Sequence, residues 1–167
     1  MSRLSSIRMG EFSVAKGDGV LCTLVGSCIG LALYDGTHKV AGLAHMVLPQ
    51  SRNSADSSGK FVDTAIPALL RDMTRLAEGA INPTARLTGG ANMFATNAIL
   101  TIGQQNIEAS ERILGEMGIP IVGSQCGGEK GRRVTLDAAT GLITIEIVGA
   151  DPIELHDRPR RRRTHHG

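Results

Sequence analysis

A cysteine and a histidine are the two residues of this chain whose types and surroundings best suit nucleophilic chemistry. Cys28 directly follows Gly26 and Ser27 and lies between two apolar runs. A cysteine at such a strand-to-turn junction can expose its sulfur beside backbone N–H groups, which are the donors that an oxyanion hole requires. His45 lies within a further apolar run, between Ala44 and Met46. An imidazole close to a thiol can take the thiol proton and later protonate a leaving amine, so the pair indicates a cysteine hydrolase.

The same two residues also have a structural interpretation. Free cysteine is one of the most buried residue types, and a histidine on an apolar strand is often a hydrogen-bonded core residue. Residue types alone leave both interpretations open. A metal site is a weaker hypothesis, because neither a C-x-x-C nor an H-x-x-x-H pair accompanies them. No cofactor is expected.

The elements that must position this pair follow from the spacing of apolar residues. Short apolar runs with turn signals between them predict strands, and apolar residues that recur every three or four positions predict amphipathic helices. The predicted strands cover residues 7–15, 20–25, 29–34, 40–48, 119–122, 133–136 and 142–148, and the predicted helices cover residues 62–77 and 104–117. If the runs 29–34 and 40–48 pair as a hairpin, His45 returns to the end where Cys28 lies.

Composition limits the classes of function that the chain can serve. The length of 167 residues favours one domain, which we place at residues 1–156. Residues 157–167 contain five arginines and one aspartate, so they form a basic tail that we expect to be disordered, and the body carries about −2. Aromatic residues make up 2% of the chain, which argues against nucleic-acid binding by stacking. Three cysteines without paired spacing and the lack of a long apolar segment predict a cytoplasmic protein that does not insert into membranes.

Longer segments around both residues resemble a known family. Residues 26–35, which contain Gly26-Ser27-Cys28, and residues 42–49, which contain Ala44-His45, resemble the bacterial chemoreceptor glutamine deamidases of the CheD family. The resemblance runs in order from about residue 7 to residue 148. Its other segments are residues 61–65, 87–93, 102–107, 127–132 and 140–141.

The resemblance implies a fold and a catalytic set. The fold is α/β, a three-layer sandwich of β-sheets with flanking helices, similar to the deamidase domain of cytotoxic necrotizing toxins. The set is a cysteine nucleophile, a histidine base and a threonine, which correspond here to Cys28, His45 and Thr23. Some relatives carry that threonine one residue earlier, where this chain has Cys22. Relatives often have an aspartate where this chain has Gln125.

The activity implied is that of a protein-glutamine glutaminase, a cysteine hydrolase that acts on a linear amide. It would convert glutamine side chains on the cytoplasmic helices of chemoreceptors, the methyl-accepting chemotaxis proteins, into glutamate with release of ammonia. A CheC-type phosphatase is a possible further partner. The alternatives are a non-catalytic module that regulates receptors or such a phosphatase, and a transglutaminase-like acyl transferase. Pairing with imidazole would lower the pKa of Cys28 below the free value of about 8.5.

Overall fold

Two β-sheets and two helices make up the fold in a computed structural model that describes residues 3–53, 58–93 and 101–156. The helices are α1 (Val62–Ala77) and α2 (Ile102–Glu116). The strands of the described residues are β1 (Arg3–Ser6), β2 (Phe12–Lys16), β3 (Gly19–Val25), β4 (Ile29–Asp35), β5 (Val40–Met46), β6 (Thr84–Gly89), β7 (Ile121–Cys126), β8 (Arg132–Asp137), β9 (Ile143–Ile147) and β10 (Ile153–Leu155).

Each sheet has five strands. The first sheet has the order β1-β3-β8-β9-β10, and the second has the order β2-β5-β4-β6-β7. The pairs β1–β3 and β6–β7 are parallel, while the other neighbours are antiparallel. Because β3 and β4 belong to different sheets, the short segment between them carries the chain from one sheet to the other.

The second sheet is the middle layer of three. Every residue of β4 and β5 is buried, as expected for strands covered on both faces. Alternate side chains of β4 point to opposite faces: Leu31 and Leu33 pack with the two helices, whereas Ala32 and Tyr34 pack against the first sheet. The predicted mixed α/β class and its layering of sheets and helices are therefore confirmed.

The predicted helices are both present. α1 covers the predicted residues 62–77 and buries one apolar stripe, and it ends where Glu78 adopts a left-handed conformation with φ of 57°. α2 begins at Ile102, two residues before the predicted start. The side chain of Thr101 caps it by accepting a hydrogen bond from the Gln104 N–H at 3.1 Å.

The strand predicted over residues 7–15 is confirmed only from Phe12 onward, where β2 begins. A turn at Gly10, where φ is 77° and Glu11 N–H donates to the Arg8 carbonyl, divides this region. The turn allows β1 to join the first sheet and β2 to join the second. β1, β6 and β10 were not predicted. The basic tail of residues 157–167 lies outside the described residues, so the division at residue 156 stays a prediction.

Neither of the two described helices combines the length and the apolar character that a bilayer crossing requires.

The middle layer should dominate stability. The Leu31 side chain of β4 is fully buried against the two helices. We expect Leu31→Ala to lower the free energy of unfolding by about 2–5 kcal/mol, through lost apolar burial and a residual cavity. Urea denaturation followed by circular dichroism measures the change. Val148→Ala, at a side chain that is 84% exposed, is the control and should change stability by less than about 0.5 kcal/mol. Equal losses in the two variants would contradict the layer assignment.

Candidate active site

Cys28 lies in the segment that links the two sheets, which we call the Cys28 loop (residues 26–28). Three consecutive carbonyl groups of this loop accept hydrogen bonds from other parts of the chain. The donors are the Ala91 N–H to Gly26 at 3.0 Å, the Asn106 side-chain amide to Ser27 at 3.1 Å and the Gly90 N–H to Cys28 at 2.9 Å. The backbone of the loop is therefore fixed from one side.

The N–H groups of the loop face the other way. The C=O and N–H of a trans peptide point in opposite directions, and the described residues contain no cis peptide. Fixing the carbonyls of Gly26 and Ser27 consequently turns the N–H groups of Ser27 and Cys28 away from the groups that hold them. The N–H of Cys28 lies close enough to its own sulfur to favour the thiolate and so lower the pKa of the thiol. This arrangement places a backbone donor at the thiol, as an oxyanion hole requires.

Two consecutive glycines at the end of β6, Gly89 and Gly90, allow the close approach that fixes the loop. Gly89 has φ of 107°, and a Cβ atom there would overlap the carbonyl oxygen of Cys28. Gly90 has φ of 63° and is covered by Ile107 of α2. A side chain at Gly89 would displace the Cys28 loop, and a side chain at Gly90 would displace Ile107 of α2.

His45 lies on β5 and points toward the first sheet, on the same strand face as Ala41 and Leu43. It meets Thr23 of β3, whose Oγ1 lies 2.7 Å from His45 Nδ1. The Thr23 hydroxyl also donates to the Ile7 carbonyl, again at 2.7 Å. Since a hydroxyl has only one proton, its oxygen must accept a hydrogen bond from Nδ1–H. The proton of the neutral imidazole is therefore on Nδ1, and Nε2 carries the lone pair.

The register of the second sheet places His45 near Cys28. Cys28 directly precedes β4, where Ile29 lies opposite Met46 and Gly30 lies opposite His45. This confirms the predicted hairpin. His45 Nε2 is buried and has no hydrogen-bond partner among the described residues, so the thiol does not donate to it in this state. The structure joins Thr23 to His45 by a hydrogen bond and places Cys28 at the adjacent strand end.

Burial favours the neutral form of both the Cys28 and the His45 side chains. Burial raises the pKa of the Cys28 thiol, opposed only by the hydrogen bond from its own N–H. Burial lowers the pKa of His45. The expectation that imidazole holds the pKa of Cys28 below that of a free cysteine is therefore wrong, because no charge or hydrogen bond between the two groups offsets the loss of solvation.

The other two cysteines have different surroundings. Cys22 is buried, and its sulfur lies 3.5 Å from the Ser6 hydroxyl. Cys126 is half-buried at the end of the edge strand β7, where burial raises its pKa. The Gln125 carbonyl accepts a hydrogen bond from the Arg132 guanidinium, so the backbone of this position has a structural role.

A pocket of about 310 Å³ reaches the Thr23–His45 pair from the side of β1. Leu4, Met9 and Leu24 contribute apolar side chains to its lining. The pocket leaves room for water or a small polar group beside the pair. In the portions of the chain that the structure describes, no three His, Cys, Asp or Glu side chains come together as metal ligands would.

Asn106 is the residue of this site that residue-by-residue reasoning missed. Its side chain is fully buried and holds the Ser27 carbonyl. The available signal was its place in the helical pattern: Asn106 shares the buried face of α2 with Ala109 and Ile113. A polar residue on an apolar helix face needs a buried partner.

The chain is similar over most of its length to proteins of one known family. The sequence model of the family described as CheD chemotactic sensory transduction matches residues 47–147, more than half of the chain, in a range that begins after Cys28 and His45. Whole-length relatives extend the similarity. A protein of Methanococcus maripaludis is 42% identical over 141 residues, which cover 83% of this chain and 92% of the relative.

Two further relatives come from distant organisms. A protein of Caldanaerobacter subterraneus is 39% identical over 157 residues, covering 89% of this chain and 95% of the relative. A protein of Pyrococcus abyssi is 35% identical over 160 residues, covering 92% and 98%. All three bear the name "Probable chemoreceptor glutamine deamidase CheD". With these identities over nearly the whole length of each relative, the chain belongs to the CheD family.

Proposed function

We propose that this protein is a chemoreceptor glutamine deamidase in which Cys28 is the nucleophile, His45 the base and Thr23 the residue that orients the base. It would act in chemotaxis by converting glutamine side chains of chemoreceptor cytoplasmic helices into glutamate and ammonia. The observation that carries the proposal is the hydrogen bond of 2.7 Å between Thr23 Oγ1 and His45 Nδ1. It leaves Nε2 free to accept a proton next to the strand end that carries Cys28.

Attack on the amide forms the first intermediate. The Cys28 sulfur bonds to the side-chain carbonyl carbon of the glutamine while the thiol proton passes to His45 Nε2. The carbonyl π electrons move to oxygen, and the resulting oxyanion lies at the N–H of Cys28. Such donors stabilise the charge strongly because they are fixed before the reaction and shielded from water. Proton transfer at the moment of attack suits a thiol whose resting form is neutral.

Collapse of the intermediate releases ammonia. The imidazolium returns its proton to the amide nitrogen, the C–N bond breaks, and a thioester on Cys28 remains. Water then gives a proton to Nε2 and attacks the thioester carbon. The C–S bond breaks, glutamate leaves, and the thiol regains its proton. Thr23 acts by orientation, since a neutral hydroxyl stabilises imidazolium less than a carboxylate would.

The burial of the site favours water as the acceptor of the acyl group. Cys28 is 8% exposed and His45 is 3% exposed, which leaves little room for a second protein side chain. This favours a deamidase over a transglutaminase-like transferase. Ammonia release with water as the only acceptor, followed by mass spectrometry of receptor fragments for glutamine converted to glutamate, distinguishes the two. A non-catalytic module would release no ammonia from any fragment.

Further parts of the proposal rest on the family resemblance. They are a cytoplasmic location, a CheC-type phosphatase as a second partner, and kinship of the fold with the deamidase domain of cytotoxic necrotizing toxins.

Cys28 should be the only thiol that the reaction needs. We expect Cys28→Ala to abolish deamidation of a receptor fragment while circular dichroism shows an intact fold. Cys22→Ala and Cys126→Ala are matched controls and should keep most of the activity, because the Cys22 side chain points to the opposite face of β3 from Thr23 and Cys126 lies on the edge strand β7. An active Cys28 variant beside an inactive Cys126 variant would refute the assignment.

The pH dependence should follow the lowered pKa of His45 and the raised pKa of Cys28. His45 stays neutral, and able to accept a proton, to below its usual value of about 6.5, so the acid limb of kcat/KM should have its midpoint below that value. Iodoacetamide should label Cys28 at neutral pH more slowly than it labels free cysteine, because less thiolate is present. Initial rates and labelling rates across pH test both statements. Faster labelling than free cysteine at neutral pH would indicate a preformed thiolate instead.

Thr23→Val should lower turnover by about 10- to 1,000-fold, or about 1.4 to 4 kcal/mol in the barrier. Valine keeps the shape but cannot accept the proton of His45 Nδ1, so the imidazole loses its fixed tautomer. The Ile7 carbonyl also loses its donor, which should cost about 1–3 kcal/mol of stability. Thr23→Ser, which retains the hydroxyl, is the control and should recover most of the turnover. Normal turnover in the valine variant would show that another group orients His45.

A further inference from the structure

Asn106 connects the loop that carries Cys28 to the strand that carries His45. Its Nδ2 donates to the Ser27 carbonyl at 3.1 Å and to the Val47 carbonyl at 2.9 Å. Ser27 directly precedes Cys28, and Val47 lies two residues after His45. Both amide protons are thereby used, and only the nitrogen of the side chain can donate to two carbonyls, which fixes its orientation.

The start of α2 is packed closely against the residues that follow β6, so the position of the Asn106 side chain is fixed. Gly103 packs so closely on the loop after β6 that a Cβ atom there would overlap the carbonyl oxygens of Gly90 and Ala91. Ile107, one turn after Gly103 on α2, packs against Gly90. Gly90 and Ala91 also donate hydrogen bonds to the Cys28 loop. The start of α2, the segment of Gly90 and Ala91, and the Cys28 loop therefore form one packed unit.

The cost of this side chain shows that it is more than core filling. Asn106 Oδ1 is buried and has no hydrogen-bond partner among the described residues. Packing alone would be met better by an apolar residue, since an unpaired buried carbonyl oxygen is unfavourable. The two hydrogen bonds that the Asn106 amide donates to separate chain segments offset the cost of its unpaired oxygen.

We propose that Asn106 is a positioning residue that sets the distance and orientation of the Cys28 thiol relative to His45. The proposal rests on the proposed function, in which a proton passes between these two groups. A misplacement of about 1 Å between reacting groups can cost about 100-fold in rate. In this proposal, Asn106 itself contacts neither the substrate amide nor the proton that is transferred from Cys28 to His45. It acts through the carbonyls of Ser27 and Val47.

Asn106→Ala is the informative variant, because the space it leaves can admit water to the two carbonyls while the link between the segments is lost. We expect kcat on a receptor fragment to fall by about 10- to 100-fold. KM should change by less than about threefold, since the residue does not contact substrate. Ser110→Ala is the matched control. Ser110 is equally buried one turn later on α2, but its hydroxyl donates only to the Asn106 backbone carbonyl, so kcat should stay within about twofold.

A double-mutant cycle separates positioning from general destabilisation. In a His45→Ala background no proton transfer to imidazole remains, so adding Asn106→Ala should lower the residual turnover by less than about twofold. A loss of the full size in that background would overturn the proposal. So would a folded Asn106→Ala enzyme with kcat within about twofold of wild type. Failure of this variant to fold would make the amide a requirement of the core and would also overturn it.

Hydrogen exchange tests the link without any substrate. Releasing the Cys28 loop should speed exchange of the Gly90 and Ala91 amides, while amides in the centre of β4 and β5 keep their wild-type rates. Unchanged exchange at Gly90 and Ala91 would refute the link itself. If wild-type protein released no ammonia from receptor fragments, the proposed function would fail, whereas this exchange result would still decide whether Asn106 holds the loop.

Discussion

The hydrogen bond between Thr23 and His45 is the contact on which the rest of the site depends, because it joins the two sheets at a buried polar point. An imidazole and a hydroxyl between packed sheets are costly unless each polar atom finds a partner. Thr23 provides one for His45, and the Ile7 carbonyl provides one for Thr23. This short chain of bonds decides which imidazole nitrogen bears the proton. Within this chain of bonds Nε2 is buried and unpaired, as the proposed role of a general base requires.

Burial favours neutral resting forms of Cys28 and His45 and would also contribute to the proposed catalysis. The same loss of solvation that raises the pKa of Cys28 and lowers the pKa of His45 also strengthens any dipole that faces a developing charge. A permanently ionised thiolate would react with many electrophiles. In the proposed reaction, the Cys28 thiol instead loses its proton to His45 only as the sulfur bonds to the carbonyl carbon of the substrate. The proposed acyl transfer therefore needs no thiolate before the substrate arrives.

Sequence reasoning succeeded where a pattern is local. The apolar runs and the turn between them predicted the β4–β5 hairpin, and hence the proximity of His45 to Cys28. β6 was missed because Arg86 and Thr88 interrupt its apolar pattern, although both are buried. The Arg86 guanidinium reaches the Leu155 carbonyl, a partner 69 residues away that no local pattern reveals. The tautomer of His45 depends likewise on the Ile7 carbonyl, which enters through tertiary structure alone.

The three layers contribute different parts of the site, and this division explains why its positioning contacts come from so many elements. The first sheet provides Thr23, the second provides His45, and the helical layer provides Asn106. The Cys28 loop crosses between the sheets and cannot form ladder bonds of its own, so its carbonyls need donors from elsewhere. Gly90 and Ala91, which follow β6, and Asn106 of α2 supply these donors. In the proposed mechanism, the position of the nucleophile therefore depends in part on a helix that carries none of the reacting atoms.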